Sequence, residues 1–193
     1  MSSSPYNIRK ILLTGPPGVG KTTLVQKACS VLKEKGLPTS GFFTEEIREG
    51  RQRVGFNVVT VDGKTGPLAR LSTNCDPRTL ERMPRVGQYA VDKESFESLA
   101  LPSLKAQSCT VIILDEIGKM EMFSESFKQE VLKVFAGPNV VLATIPMPKG
   151  KPIPFIESLK KRPDVKIITV TRENRNSLEN EVTLPLLTMN KQR

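Results

Sequence analysis

Short continuous apolar runs alternate along the chain with segments in which apolar residues recur at helical spacing. A continuous apolar run is typical of a parallel strand buried on both faces, whereas a spacing of three and four residues indicates one face of a helix. The runs that predict such strands cover residues 8–13, 111–114, 140–143 and 165–170. The alternation predicts an α/β fold, with a mostly parallel sheet covered by helices on both faces.

Helix signals follow these strands. Gly36 and Gly137 supply stop signals, Ser124 is suited to cap a helix start, and Pro102 should kink or end early the helix in which it lies. The predicted helices begin after residue 21, at 92, at 124, at 154 and at 171.

The pattern changes between the first helix and residue 92, where short β-branched runs take over. A second strand at 42–44 should end in the acidic pair Glu45 and Glu46. The runs 54–61 and 67–71, joined by an Asp-Gly turn, predict an inserted β-hairpin.

The rest of this stretch is less regular. Residues 72–85 have no clear period and predict an exposed loop, after which 86–91 resumes a strand. We therefore predict one domain over residues 1–193, with a flexible N-terminal tail at 1–7 and a β-rich insertion at about 48–90.

Composition narrows the class of protein. The chain has 193 residues, 38% apolar and 25% charged, which suits one globular domain. No apolar run approaches the roughly 20 residues that span a bilayer, and the polar start does not resemble a signal peptide. We expect an intracellular, cytoplasmic monomer that does not engage membranes.

Charge and the missing histidines limit the chemistry. The net charge is +9, but aromatic residues are only 5%, so nucleic acid is not the expected partner. Histidine is absent, and Cys29, Cys75 and Cys109 lie too far apart for a zinc site or a disulfide framework. Catalysis must therefore use carboxylates, lysines, arginines or a bound metal.

A phosphate-binding loop joins the first predicted strand to the first predicted helix. The segment fits G-x-x-x-x-G-K-[ST], in which backbone N–H groups surround phosphates, the lysine reaches the β- and γ-phosphates and the next hydroxyl holds Mg²⁺. Lys21 and Thr22 take these two roles. The candidate nucleotide-binding residues here are Gly15, Pro16, Pro17, Gly18, Val19, Gly20, Lys21, Thr22 and Thr23.

Acidic residues follow the strand at 111–114. Asp115 is in the Walker-B position, where a carboxylate reaches Mg²⁺ through a water molecule, and Glu116 is placed to accept a proton from an attacking water. Gly118 completes D-x-x-G, in which a glycine N–H can bind a γ-phosphate. Lys119 and Glu121 are further candidates for phosphate contact and water orientation, or for a structural ion pair.

Recognition of the base is expected after the last predicted strand. A guanine-reading N/T-K-x-D motif would fall at Thr171, but Arg172 and Asn174 replace its lysine and aspartate. An amide cannot accept two hydrogen bonds as a carboxylate does, so we predict loose base selectivity. Arg172 or Arg175 could stack on any base, or the segment could simply cap a helix.

Other charged residues are candidates without an assigned role. Glu45 and Glu46 either face the phosphates or pair with neighbouring arginines. Closure over a triphosphate needs a mobile cation, for which the proline-flanked Lys149 is the first candidate, and Arg85 and Arg48 are alternatives.

Six segments together resemble one family. They are GPPGVGKTT at 15–23, GFFTEE at 41–46, RVGQY at 85–89, DEIGKME at 115–121, PKGKP at 148–152 and TRENRN at 171–176. The chain resembles the cancer-related nucleoside-triphosphatase family, which vertebrates share with thermophilic prokaryotes. The resemblance implies slow Mg²⁺-dependent hydrolysis of several nucleoside triphosphates, with Lys21 and Thr22 on phosphate and metal, Asp115 on metal and Glu116 as base.

Two other functions remain open from the residues themselves. A P-loop kinase would transfer the phosphoryl group to a small acceptor, with the segment of Lys149 and Lys151 as its lid. A nucleotide-dependent switch or nucleic-acid-linked module would account for the net charge and for the D-x-x-G pattern.

Overall fold

A computed structural model of the protein describes residues 8–105, 111–148 and 150–191. Cys109, Lys149 and the predicted tail at 1–7 lie outside the described residues. The strands are β1 (Lys10–Thr14), β2 (Thr39–Glu49), β3 (Gln52–Thr60), β4 (Thr65–Leu71), β5 (Arg85–Val86), β6 (Tyr89–Val91), β7 (Val111–Leu114), β8 (Val140–Thr144) and β9 (Val165–Thr169). The helices are α1 (Lys21–Glu34), α2 (Pro77–Leu80), α3 (Lys93–Leu104), α4 (Glu125–Ala136), α5 (Pro154–Lys160) and α6 (Leu178–Lys191).

Within the described ranges all strands form one nine-stranded sheet in the order β5-β6-β4-β3-β2-β7-β8-β1-β9. Neighbouring strands pair in parallel in the half of the sheet that runs β2-β7-β8-β1-β9. They pair antiparallel in the half that runs β5-β6-β4-β3-β2. The predicted α/β class is confirmed. The inserted β-hairpin is part of a longer antiparallel extension that continues the same sheet, because β2 pairs with β7 along one end and with β3 along the other.

Helices cover both faces of the sheet, as predicted. Successive residues of β1 point to opposite faces, so Leu12 belongs to one apolar core while Ile11 and Leu13 belong to the other. The core around Leu12 is closed by apolar residues of α3, α4 and α5, and the core around Ile11 is closed by those of α1 and α6. The carboxyl ends of the parallel strands lie between these two layers, where ligands bind in open α/β sheets.

The second strand is longer than predicted. β2 continues to Glu49 because residues from Phe42 onward pair with β3, so Glu45 and Glu46 lie within a strand and not at its end. Alternation along the strand then separates the two carboxylates: Glu46 shares a face with Thr44, and Glu45 points the other way. The prediction of a strand ending at Thr44 is wrong for this reason.

Two predictions on the β-rich stretch are also wrong. The predicted loop contains α2, whose start is capped by the Asp76 side chain accepting from Arg78 N at 2.8 Å, with Pro77 at the first helical position. The predicted strand at 86–91 is two strands, because Gly87 turns the chain with a φ of 58° between β5 and β6.

Helix ends differ as well. Pro102 does not end α3 early, because the helix continues through it to Leu104. Burial of the Leu104 side chain favours this last turn. The last helix begins at Leu178 and not at Thr171, because the residues between them form hydrogen-bonded turns. No helix among the described residues is long and apolar enough to cross a membrane. The single-domain boundaries stay a prediction.

Candidate active site

The loop between β1 and α1 has glycines where its backbone needs them. Gly15 has a φ of +153°, and a Cβ there would lie 2.4 Å from the carbonyl oxygen of Val170. Gly20 precedes α1 with a φ of +108°, and among the described residues no side chain caps this helix start. The loop therefore presents backbone N–H groups and the positive end of the α1 dipole to a ligand.

Lys21 holds this loop in place. Its Nζ donates to the carbonyl oxygens of Gly15, at 3.0 Å, and Pro16, at 3.3 Å, and the side chain is buried. At the opposite side of the loop, Arg175 Nη1 donates to the carbonyl oxygen of Val19 at 3.4 Å. The segment after β9 is thus attached to the phosphate loop.

Asp115 follows β7 and is 1% exposed. Its Oδ1 accepts a hydrogen bond from Thr144 Oγ1 at 2.6 Å, whereas Oδ2 is buried without a hydrogen-bond partner among the described residues. Burial raises the pKa of the Asp115 carboxyl, against the opposing effects of the Thr144 and Thr22 hydroxyls, the Thr44 backbone and the Lys21 charge. An unpartnered buried carboxylate oxygen calls for a cation or a water ligand.

This donor set fits Mg²⁺ as a substrate-bound ion. Asp115 offers a free oxygen and Thr22 a hydroxyl beside it, and Mg²⁺ prefers oxygen ligands. No group of three or more acidic, cysteine or histidine side chains forms a metal site in the described part of the chain. A metal here would therefore also need phosphate oxygens and water as ligands, which is the usual arrangement for Mg²⁺.

Two further carboxyls meet around Gly118. Burial raises the pKa of Glu116. The positive charge of Lys21 lowers this pKa, and the negative charge of Asp115 raises it further, so that the net change is upward. Burial raises the pKa of Glu121 to about 8, helped by the charge of Glu116. Glu121 Oε2 accepts from Gly118 N at 3.0 Å, and a Cβ on Gly118 would lie 2.6 Å from Glu116 Oε1. A larger residue at position 118 would require the Glu116 side chain to move.

A cleft of about 740 Å³ opens along this edge of the sheet. It is lined by part of the phosphate loop, by strand-end residues and by apolar residues of the insertion and of α5. Predicted site residues that line it are Gly15, Pro17, Gly18, Gly20, Lys21, Thr22, Thr23, Glu46, Glu116, Lys119 and Glu121. The structure thus brings the phosphate loop and the acidic segment after β7 to one cleft.

Other predicted residues lie elsewhere. Pro16 and Val19 are part of the loop but are not among the residues that line the cleft, and Asp115 is buried and also outside this lining. The Gly118 N–H is already bonded to Glu121, so its contact with a γ-phosphate stays a prediction. Residues outside the cleft lining are Glu45, Arg48, Arg85, Arg172 and Asn174, and Lys149 lies outside the described residues.

Glu46 is in ion pairs, the alternative that sequence reasoning left open. Its carboxylate pairs with Arg48 and with Arg53. Burial alone would raise the pKa of Glu46. Hydrogen bonds from Arg53 and Arg48 nevertheless hold this pKa below its usual range. The Arg53 guanidinium also lies 5.3 Å from the centre of the Phe56 ring. Both Arg53 and Phe56 line the cleft.

The predicted base-recognition segment has its own internal bonds. Asn174 Oδ1 accepts from Thr171 N at 2.8 Å, and Asn174 Nδ2 donates to the Thr169 carbonyl oxygen at 2.9 Å. Arg172 is exposed. The amide of Asn174 therefore stabilises the turn after β9, and contacts of Asn174 and Arg172 with a base stay predictions.

Sequence reasoning did not find Thr144 or Phe56, and it considered Arg53 only as one of the arginines that could pair with the acidic pair. Thr144 had a detectable signal, because it is the polar residue at the end of the apolar run at 140–143. Its place beside Asp115 depends on the pairing of β8 with β7. Phe56 had no signal, since it reaches the cleft only through the pairing of β3 with the extended β2.

The fold and the cleft define the class of α/β proteins in which a phosphate-binding loop joins the first strand to the first helix and a buried aspartate follows a parallel strand nearby. Comparison with known proteins narrows this class. The model of the family described as NTPase matches residues 10–183, and the chain belongs to this family.

Individual relatives agree with this assignment. The human cancer-related nucleoside-triphosphatase is 51% identical over 177 residues, covering 88% of this chain and 92% of the relative. The Thermotoga maritima nucleoside-triphosphatase THEP1 is 45% identical over 175 residues, covering 90% and 92%. The solution structure of the human protein matches with a TM-score of 0.80 at 48% identity, over 96% of this chain and 99% of that one. The predicted family is confirmed, and with it an enzyme of the nucleoside-triphosphatase type.

Proposed function

We propose that the protein hydrolyses nucleoside 5′-triphosphates to the diphosphate and phosphate, with Mg²⁺ as cofactor and with broad base selectivity. One observation carries the proposal: the loop of Lys21 and the carboxyl of Glu116 face the same cleft, with the unpartnered oxygen of Asp115 beneath it. The names of the human and Thermotoga relatives support the reaction class.

Binding falls to the loop and to α1. Backbone N–H groups from Gly15 to Thr23 surround the phosphates, and Lys21 exchanges its bonds to the loop carbonyls for bonds to the β- and γ-phosphates. Thr22 and Asp115 would hold Mg²⁺, which when bound withdraws charge from the β- and γ-phosphate oxygens. Thr144 fixes the carboxylate of Asp115 for this role.

Glu116 is the residue that acts on water. Its raised pKa means that the carboxylate is a stronger base than an exposed glutamate, so it can accept a proton from a water attacking the γ-phosphorus. The new bond joins the water oxygen to the γ-phosphorus, and the bond from that phosphorus to the β–γ bridging oxygen breaks. The chain has no histidine that could replace Glu116 in this step.

Broad base selectivity follows from the segment after β9. Both polar atoms of the Asn174 side chain are used within the turn, so little hydrogen-bonding capacity is left there to distinguish one base from another. Arg172 is exposed nearby and can contact any base by its guanidinium plane. All the residues named belong to one chain, and we propose that a monomer is the active form.

A phosphate-release assay tests the proposal. ATP, GTP, CTP and UTP should all be hydrolysed in the presence of Mg²⁺, with kcat/KM values within roughly tenfold of one another, as expected for a site that cannot reject a base by unpaired hydrogen bonds. Removing Mg²⁺ with EDTA, or the substitution Lys21→Ala, should abolish phosphate release. Turnover that survives EDTA, or a single accepted nucleotide, contradicts the respective part of the proposal. Stimulation by RNA or DNA would favour the switch alternative.

A further inference from the structure

The cleft extends well beyond the place where a triphosphate would lie. At its far end it is lined by Glu46, Arg53, Phe56, Leu68 and Val86, which we call the far chamber. These residues belong to β2, β3, β4 and β5, all on the antiparallel side of the sheet. The phosphate loop follows β1, on the parallel side.

The order of the strands gives the distance between the phosphate loop and the far chamber. From β1 the sheet passes through β8, β7 and β2 to β3, so β3 is four strand spacings away, or about 19 Å. Asp115 follows β7, only two spacings from β1, or about 10 Å. A γ-phosphate held between Thr22 and Asp115 therefore ends about midway along the cleft. In the proposed function the base lies near the segment after β9, which is on the other side of β1, so the rest of the nucleotide would extend away from the far chamber.

The far chamber is part of a cleft that is large enough for organic ligands. The cleft as a whole has a volume of about 740 Å³, which lies in the size range of small-molecule sites, and this volume also includes the place of the triphosphate. Apolar side chains form much of the chamber wall: Leu68 is buried in the core, and Phe56 and Val86 pack against that core while facing the cleft. An apolar wall of this kind suits a flat ring.

The charge at this end favours an anion. Glu46 contributes one negative charge that two arginines share: Arg53, which lines the cleft, and Arg48, which lies outside the lining, so the three side chains together carry a net charge of +1. Lys119, which lines the cleft near Glu116, is in no ion pair within the part of the chain that the structure describes. Arg53 beside the Phe56 ring, with Lys119 further along the same cleft, offers groups for both a phosphate and a base.

We propose that the far chamber binds a nucleoside monophosphate as a second ligand, at the same time as a triphosphate occupies the phosphate loop. The base packs against Phe56 and Val86, and the phosphate contacts Arg53 and Lys119. The inference rests on the proposed function only for the position of the triphosphate. The monophosphate would then lie beside Glu116, where the attacking water is placed in the hydrolysis reaction.

Calorimetric titration tests the proposal with the intact chain. The phosphate loop is first saturated with Mg²⁺ and the non-hydrolysable analogue AMP-PNP, and AMP, GMP, CMP and UMP are then titrated in turn. We expect at least one of them to bind with a stoichiometry near one while AMP-PNP stays bound. Absence of heat for all four, or displacement of AMP-PNP by the monophosphate, overturns the proposal. Failure of AMP-PNP to bind at all would instead contradict the proposed function.

Matched variants locate the second ligand. Arg53→Ala should weaken monophosphate binding at least tenfold, whereas Arg51→Ala, which removes the same charge from the exposed turn between β2 and β3, should change it less than twofold. Phe56→Ala should weaken it similarly, with Phe123→Ala as its control, since Phe123 is exposed outside the cleft lining. Equal effects of Arg53→Ala and Arg51→Ala contradict this site. Arg53 is partly exposed, so its variant tests the site even if Phe56→Ala fails to fold.

Discussion

Thr144 donates a hydrogen bond of 2.6 Å from Oγ1 to Oδ1 of Asp115. Thr144 ends β8, the strand that lies between β1 and β7, and both residues are fully buried. One oxygen of the carboxylate is therefore fixed from the side of the phosphate loop, which leaves the other oxygen, Oδ2, directed to a different partner.

Replacing Thr144 by valine should destabilise the protein and reduce its activity. The change leaves Oδ1 of a buried carboxyl without its donor, which costs about 1–3 kcal/mol in the free energy of unfolding. Urea denaturation measures this loss, and a phosphate-release assay should show a lower kcat. Thr144→Ser keeps the hydroxyl and should retain most of both. If valine and serine behave alike, the hydrogen bond does not position Asp115.

Glu116→Gln should stop turnover without preventing nucleotide binding. Loss of a general base lowers rates by roughly 10²–10⁴-fold, and the amide keeps the shape of the side chain. Single-turnover phosphate release measures the rate, and fluorescence titration with a labelled triphosphate analogue measures affinity. Glu34→Gln, at the exposed end of α1, is the control and should match the unmodified protein. A Glu116→Gln variant with undiminished kcat would remove Glu116 from the mechanism.

Glu121 makes stability depend on pH. The pKa of its buried carboxyl is raised from the ordinary value of 4.5 to about 8, so folding takes up a proton between these values. Its contribution to the free energy of unfolding therefore falls as pH rises through this window, by up to about 1.4 kcal/mol per pH unit. Glu121→Gln stays neutral and can still accept from Gly118 N, so the variant should gain stability relative to the native protein between pH 5 and 8.

Urea midpoints at several pH values for both proteins measure this difference. Only the difference is informative, because burial raises the pKa of Asp115 and Glu116 as well. Parallel curves for the native protein and Glu121→Gln would mean that Glu121 is already ionised in the folded state.

Gly41 is needed where β2 passes β7. Its φ is +110°, and a Cβ there would lie 1.9 Å from the carbonyl oxygen of Ile113, so Gly41→Ala should prevent normal pairing and cost about 3 kcal/mol or more. Gly36→Ala is the matched control: its φ is +71°, but the space around it is open, so only about 1 kcal/mol of backbone strain is expected. Thermal denaturation of the two variants compares them. Equal losses would mean that crowding at Ile113 is unimportant.

Local sequence patterns were enough to predict where the phosphate-loop segment and Asp115 lie in the fold. The loop at Gly15–Thr23 and the aspartate after an apolar strand each carry their signal within a few residues, and both are at the carboxyl ends of parallel strands. That is enough to place them at one edge of the sheet. The strands and helices of the parallel part of the sheet were also predicted with the right type, since continuous apolar runs and helical spacing are local properties, whereas α2 and the turn between β5 and β6 were missed.

The remaining residues depend on pairing between distant segments. Pairing of Glu46 with neighbouring arginines was one of two alternatives that the sequence left open, and it forms because β2 continues past its predicted end and pairs with β3, which brings Glu46 beside Arg53. Asn174 keeps its amide within a turn, whereas its position in the sequence suggested contact with a base. In both cases the outcome depends on which hydrogen-bond or ion-pair partner the polar side chain has in the fold. Several partners were equally compatible with the sequence.

Strand β2 runs from the acidic centre to the far chamber without a break. Phe42 accepts a hydrogen bond from the backbone of Asp115 at 3.1 Å, and Glu46 lies four residues further along the same strand, about 14 Å away. A paired strand is stiff, so this interval acts as a spacer of constant length and not as a hinge. The distance between the Asp115 carboxyl and the far chamber should therefore stay the same whether or not a ligand is bound, so a second ligand that reaches from Phe56 to Glu116 has to match it in length.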